Sequence, residues 1–221
     1  HIMLLSQDQQ DQPIYAANAF DLTPSILRNF SAPVTIDDDL DCHERHHIMR
    51  YDTDLFNRWD NAQTLISDEI LLVAKNPAAP INARSIAALA DGFGHILADP
   101  SCLDYFKAAI LTLPAISVLE SRMAPADPVD LFNARLAVES ALGQQMEDQY
   151  HQALNAQKSA TLAATAGGRA LRNRLLALAV AAGDIAADEV AKIQVLDSNM
   201  TLSQGALAAS KRATSLQQLP T

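Results

Sequence analysis

Glycine and aromatic residues are scarce in this chain, with 7 glycines and 5% Phe, Trp and Tyr in 221 residues. Sheets draw on aromatic side chains for their faces and on glycine for their tight turns, so this shortage argues against an all-β protein. Cysteine is nearly absent. Cys42 and Cys102 make no disulfide framework and nothing in the sequence pairs them, so reduced thiols in a cytoplasmic protein are the expected state. No apolar run approaches the ~20 residues needed to cross a bilayer, and the N-terminus lacks the basic-then-apolar order of a secretory signal, so no membrane partner is expected. Basic residues are outnumbered, 16 Lys and Arg against 26 Asp and Glu, for a formal charge of −10. Phosphate backbones are gripped by clustered Lys and Arg, so no nucleic-acid partner is expected either. The densest basic group, Arg169, Arg172 and Arg174, falls beside an apolar helical stripe and reads as a solvated face.

What the chain does contain is 49% apolar residues, enough to bury a large core, arranged mostly at helical spacing. The strongest stripe runs over residues 55–73. Leu55, Trp59, Ala62, Ile66, Ile70 and Val73 recur at steps of three and four, which stack on one face of an α-helix. Thr53 is the expected N-cap, and the helix should end near Asn76-Pro77 because proline disfavours the helical conformation of the residue before it. Trp59, the only tryptophan, is expected at the centre of the core.

Residues up to about Val34 read differently. Segment 12–20 and the run 31–36 look extended, and too few strands are present to close a stable sheet domain alone. From Asp37 onward the helical signal is continuous. A polar helix is expected over 38–50. Further stripes comprise Ile86, Leu89, Phe93 and Ile96, stopping at Asp99-Pro100, then Leu103, Phe106, Ile110 and Leu113, closed by Pro114. A short helix with Ile116, Leu119 and Met123 follows. Asp127-Pro128 opens a long helix through Leu131, Val138, Leu142, Met146 and Tyr150 to about Ala156. After a loop over 157–165 comes Leu171, Leu175, Leu178 and Ala182, ended by Gly183. Helices over 188–196 and 201–213 complete the series. The fold class is therefore mainly α, a bundle or α-solenoid of antiparallel helices preceded by a few β-strands.

One motif carries chemistry. His43-Glu44-Arg45-His46-His47 fits the pattern His-Glu-x-x-His, in which two histidines one turn apart bind zinc and the glutamate acts as general base. Against this, Arg45 and His46 occupy the middle positions, and a guanidinium beside a divalent cation is unfavourable. Where zinc peptidases of this pattern take a glutamate ligand from the next helix, this chain has Ile66, and Glu69 lies one turn too late. The alternative is a mixed-charge solvated helix face, and no metal ligand is assigned. Ser117, Ser140, His95 and His151 lack triad or nucleophile-elbow spacing. Gly167-Gly168 lacks the strand of a phosphate loop and marks a helix start or close helix contact. Asp37, Asp38, Asp39 and Asp41 suit the acidic first turn of a helix. No catalytic, cofactor-binding or metal residue is assigned.

Several separated stretches, taken together, resemble bacterial aminopeptidase N, in order and at similar spacing. They are the run from Thr23 to Val34, Phe56-Asn57-Arg58-Trp59-Asp60 with Ala62-Gln63, Leu111-Thr112-Leu113-Pro114, Arg169-Ala170-Leu171-Arg172-Asn173, and Asn199-Met200-Thr201. The resemblance implies a zinc metallo-aminopeptidase parent of the gluzincin type, with residues 1–36 as the last strands of an incomplete Ig-like β domain. Residues 37–221 would then be the N-terminal portion of a truncated helical C-terminal domain. The family's zinc motif lies upstream, so none of its catalytic or zinc residues maps onto this chain, which would be inactive alone and hold no zinc. The implied partners are the catalytic domain of the same parent chain and the parent's peptide substrates. The helical part would cover the zinc site and restrict access. The competing reading is a free-standing helical-repeat protein-interaction module.

Overall fold

The computed structural model describes residues 23–32, 34, 38–156 and 165–217, without the side chains of 156 and 212–217. Among the described residues all regular structure is helical and no strand is formed. The segment expected as a strand over 12–20 lies outside the described residues. Of the run 31–36, residues 31, 32 and 34 are described and are not in a strand.

Helices α1 (Cys42–Tyr51), α2 (Leu55–Lys75), α3 (Ala83–Ala98), α4 (Asp104–Ile110) and α5 (Ile116–Ser121) form the first half, and α6 (Pro128–Gln145) and α7 (Glu147–Ala156) follow. The second half is α8 (Ala166–Ala181), α9 (Ile185–Gln194) and α10 (Met200–Gln217). Two helices act as axles. α2 packs against α1, α3, α4 and α6, and α8 packs against α4, α6, α7, α9 and α10, with α6 bridging the two. Much of the packing therefore joins helices that are not chain neighbours, α4 and α10 against α8 and α6 against α2 and α3 among them. Among the described residues no helix is long and apolar enough to cross a membrane.

Local chemistry sets the ends. α1 starts four residues later than the expected 38, because Asp41 and Glu44 form a reciprocal capping box, Asp41 accepting from the Glu44 amide and Glu44 from the Asp41 amide. α2 is capped by Asp54, which accepts from the Asn57 amide at 2.9 Å, and not by Thr53. Thr53 instead accepts a hydrogen bond from Arg28. α2 and α3 are capped at their C-terminal ends by Asn76 and Asp99, each immediately before a proline, as the prolines dictate. Gly183 has φ of +87°, and the amides of Gly183 and Asp184 return to the carbonyls of Val180 and Ala179, a Schellman closure of α8. The single helix expected over 128–156 is broken at Met146, where φ is −103° and ψ 18°. The break lets Met146 and Tyr150 both turn fully into the core, and the acidic Glu147 and Asp148 suit the start of α7.

Trp59 is not the centre of the core. Tyr150, Phe93 and Met49 are the largest fully buried side chains, while Trp59 is half-buried against the core's edge. The stripe containing it is real, with Ala62, Ile66 and Ile70 wholly buried. At the level of Trp59, however, the chain segment after α4 faces α2 instead of another helix, and the interior opens into a groove. Arg174 is also corrected. It is buried, not solvated, and donates to the Leu111 carbonyl and to Glu139, both at 2.6 Å. Its helix α8 is buried almost all round its second half, which leaves no polar side to hold it.

Candidate functional site

The groove lies between α2 and the segment that runs from α4 through α5. Trp59, Asp60, Gln63, Thr64 and Ser67 line one wall, and Thr112, Leu113, Pro114, Val118 and Arg122 line the other, around about 500 Å³. Its far wall is tied down by hydrogen bonds. Four successive carbonyls of the loop 111–114 accept hydrogen bonds from side chains of three different helices. Leu111 accepts from Arg174 of α8, Thr112 from Gln63 of α2, and Leu113 and Pro114 from Arg135 of α6. A loop carbonyl left unbonded inside a protein costs free energy comparable to a lost hydrogen bond, so these side chains hold the loop in one place. Glu139, fully buried, neutralises the guanidinium of Arg174 and lies 3.7 Å from that of Arg135.

The near wall carries an uncommitted carboxylate. Asp38 is paired with Arg45, Asp68 with Arg122, and Asp52 with Arg28, whereas Asp60 makes no direct hydrogen bond or ion pair with a described residue. Partial loss of water against the groove pushes its carboxyl above the usual range, an effect that Arg45 and Arg122 oppose from a distance.

Around the N-terminal end of α2 the chain builds a second dense polar cluster. Asp52 accepts from Ser25, Arg28 and the Asp54 amide, while Asp54 accepts from the Asn29 amide at 2.7 Å. The Asn57 amide group donates to Ser25 and to the Ile26 carbonyl. These bonds hold Leu27, Asn29 and Phe30 at φ of 54°, 56° and 49°, a left-handed conformation that non-glycine residues adopt only when their surroundings impose it. Burial raises the Asp52 carboxyl, but the bonds from Ser25, the Asp54 amide and Arg28 outweigh it and hold it below the ordinary value. Arg58, also buried, donates to the Met49 carbonyl, Asp99 and the Cys102 sulfur, which ties α1 to the turn between α3 and α4. Asp99 is held well below the carboxylate range by the Ser101 hydroxyl and amide, with a smaller contribution from Arg58. Burial pushes the Cys102 thiol up, so it stays protonated and inert. Both cysteines are free, Cys42 on the surface and Cys102 inside.

The His-Glu-x-x-His stretch is the first full turns of α1. His43 and His47 are exposed, Glu44 is engaged in the capping box, and Arg45 is bonded to Asp38 and Asn61. Ile66 is wholly buried, and Glu69, one turn on, is inside the protein. Among the described residues no three His, Cys, Asp or Glu side chains are grouped to hold a metal ion. Glu44, committed to the α1 cap, is therefore not poised as a free base beside His43 and His47. Ser117 and Ser140 stand on α5 and α6, and His95 packs its ring against Tyr51 at 5.3 Å. His151 lies 3.1 Å from the Asp184 carboxylate, which also accepts from the Tyr150 hydroxyl. No hydrogen bond among the described residues joins any of these serines to a histidine. Gly167 sits against the start of α4, the close helix contact that its sequence suggested. Asp38 and Asp41 serve Arg45 and the α1 cap respectively.

The separated sequence stretches that looked related meet in space. Ser25, Arg28 and Asn29 dock on the α1–α2 corner and Asn57; Trp59, Asp60 and Gln63 face Thr112, Leu113 and Pro114 across the groove. Arg172 and Asn173 bind the two ends of the Gln194 amide, and Asn173 and Gln194 then donate to the Thr201 and Leu202 carbonyls, clamping α8, α9 and α10. Arg135 and Glu139 were not singled out from sequence. The available signal was a pair of charges one turn apart on a helix whose buried face also carries Val138 and Leu142.

Comparison with known proteins agrees with this architecture. Residues 42–219 match a family described as "Domain of unknown function (DUF3458_C) ARM repeats". Aminopeptidase N of Caulobacter vibrioides is 36% identical over 154 residues, covering 67% of this chain and 17% of that protein. Aminopeptidase N of Escherichia coli is 28% identical over 148 residues, covering 66% of this chain and again 17% of the relative. Legionella pneumophila aminopeptidase A, solved in complex with aspartic acid, superposes with a TM-score of 0.70 at 22% identity over 86% of this chain and 24% of that one, which shows a shared fold. The chain thus spans under a quarter of the length of each of these proteins. With the described α-helices, from Cys42 to Ala156 and from Ala166 to Gln217, all inside the family match over 42–219, the chain belongs to the DUF3458_C family of ARM-repeat domains, the helical C-terminal part of aminopeptidase N-like proteins.

Proposed function

We propose that residues 37–221 belong to the helical domain that covers the active site of a parent aminopeptidase N, admitting peptides with a free N-terminus and turning away folded proteins. The parent would be a cytoplasmic zinc metallo-aminopeptidase releasing N-terminal amino acids, its zinc held by a catalytic domain that is the partner of this chain. Residues 1–36 would belong to a preceding Ig-like β domain. The 36% identity to the Caulobacter aminopeptidase N carries this reading. Enclosure is a physical route to selectivity, because a covered site limits access and excludes water from the reaction. The chain itself supplies no proton donor, nucleophile or metal ligand to the chemistry on this reading, and its contribution is a stiff, correctly shaped cover.

The test uses the parent polypeptide. It should hydrolyse short peptides and leave the free N-terminus of a folded protein intact, and loosening the cover by Arg174→Ala should narrow that difference. Equal rates on peptides and folded proteins in the unmodified parent would refute the covering role, as would zinc-dependent peptide hydrolysis by this chain alone. The second reading, an ARM-repeat interaction module, is favoured by the family description itself. A parent reading frame with no upstream His-Glu-x-x-His would decide for it.

A further inference from the structure

The groove beside α2 is a better recognition surface than a covering role requires. Its size, about 500 Å³, is that of a site for a small ligand or a short chain segment. Its far wall is fixed through all four carbonyls of 111–114, so an occupant would not have to order it on binding. Trp59, Leu113, Pro114 and Val118 give it an apolar lining. Asp60 lines the same groove as Trp59, and among the described residues no arginine is paired with its carboxylate, whereas Asp38 and Asp68 are already paired. Thr64, on the same wall, likewise makes no direct hydrogen bond with a described residue. An indole and a carboxylate unpaired among the described residues, lining one groove in a chain of charge −10, are complementary to a cation on an apolar stem. A single carboxylate is too few ligands for a metal ion, and it repels anions.

We propose that this groove docks an extended peptide segment that presents a lysine or arginine side chain to Asp60, with the aliphatic stem laid along Trp59 and Val118. The segment's backbone then lies within reach of the Thr64 hydroxyl. Arg122, already balanced by Asp68, closes the far end. This inference stands independently of the covering role, since it concerns binding and not hydrolysis.

The chain's only tryptophan is the reporter. Titrating the chain with acetyl-Ala-Lys-Ala amide should change Trp59 fluorescence saturably, with the indole NMR signal moving in parallel. Replacing the lysine by norleucine, which keeps the stem and removes the charge, should weaken binding at least about fivefold. Asp60→Asn should weaken the lysine peptide by a similar factor, with the helical circular dichroism unchanged. Glu120→Gln removes the same charge from an exposed site outside the groove and should leave affinity within about twofold. Three results would overturn the proposal: no saturable change up to about 5 mM peptide, equal affinity for the norleucine peptide, or equal effects of Asp60→Asn and Glu120→Gln. The norleucine comparison needs no variant, so it decides the matter even if Asp60→Asn folds poorly.

Discussion

Replacing Arg174 by alanine removes the donor that satisfies the Leu111 carbonyl and the cation that compensates Glu139, each at 2.6 Å and both inside the protein. Breaking a buried pair from one side costs about 3–5 kcal/mol, because the remaining charge has no water to turn to. Arg135, 3.7 Å from the other Glu139 oxygen, keeps part of that compensation and places this contribution near the lower end. The orphaned carbonyl adds roughly 1 kcal/mol or more. Arg174→Ala should therefore lose about 4 kcal/mol, read as a lower urea midpoint at unchanged slope, or a Tm lower by roughly 8–16 °C. The double change Arg174→Met with Glu139→Leu removes both charges together and should recover most of that loss, since an apolar pair of similar volume is often neutral or better. A loss below about 1 kcal/mol for Arg174→Ala, or a double variant no more stable than the single one, would refute the account of this buried network.

Two further outcomes test the packing and the α1–α2 corner. A Cβ at position 143 would sit 2.4 Å from the Leu178 carbonyl oxygen, so Gly143→Ala should destabilise by about 2 kcal/mol in thermal unfolding. The sign is itself diagnostic, because alanine in an uncrowded helix interior is stabilising. At Asp52 the folded carboxyl lies below its unfolded value, so its contribution is complete above the unfolded pKa of about 3.9 and is lost as pH falls through the lower folded value. Arg28→Ala should raise the folded value and make the chain less stable at pH 7, yet less sensitive to acid between pH 5 and pH 3, measured as urea midpoints. Equal acid losses in the two proteins would show that the Asp52 cluster contributes nothing.

The positions of most helices were legible because short-range chemistry decides them. Asn76 and Asp99 end helices ahead of prolines, Asp127 caps α6, and Gly183 alone could take the left-handed turn after α8. The apolar stripes of α2 and α3 likewise named their buried faces, since Ile66, Ile70, Leu89, Phe93 and Ile96 all lie inside. What periodicity could not reveal is what stands opposite each stripe. Trp59 shares a face with Ile66 but meets the loop 112–115 where Ile66 meets helices, so one lines a groove and the other is core. Arg174 has the composition of a solvent-facing residue, and only the arrival of Glu139 and the Leu111 carbonyl from distant sequence makes it a buried strut. The sequence by itself determined where most helices lie and which way their apolar sides turn, because capping, proline and spacing act within a few residues, whereas the break at Met146 was decided by packing. The groove, its pinned loop and the free Asp60 were decided by tertiary packing, which brings together groups that no local rule connects.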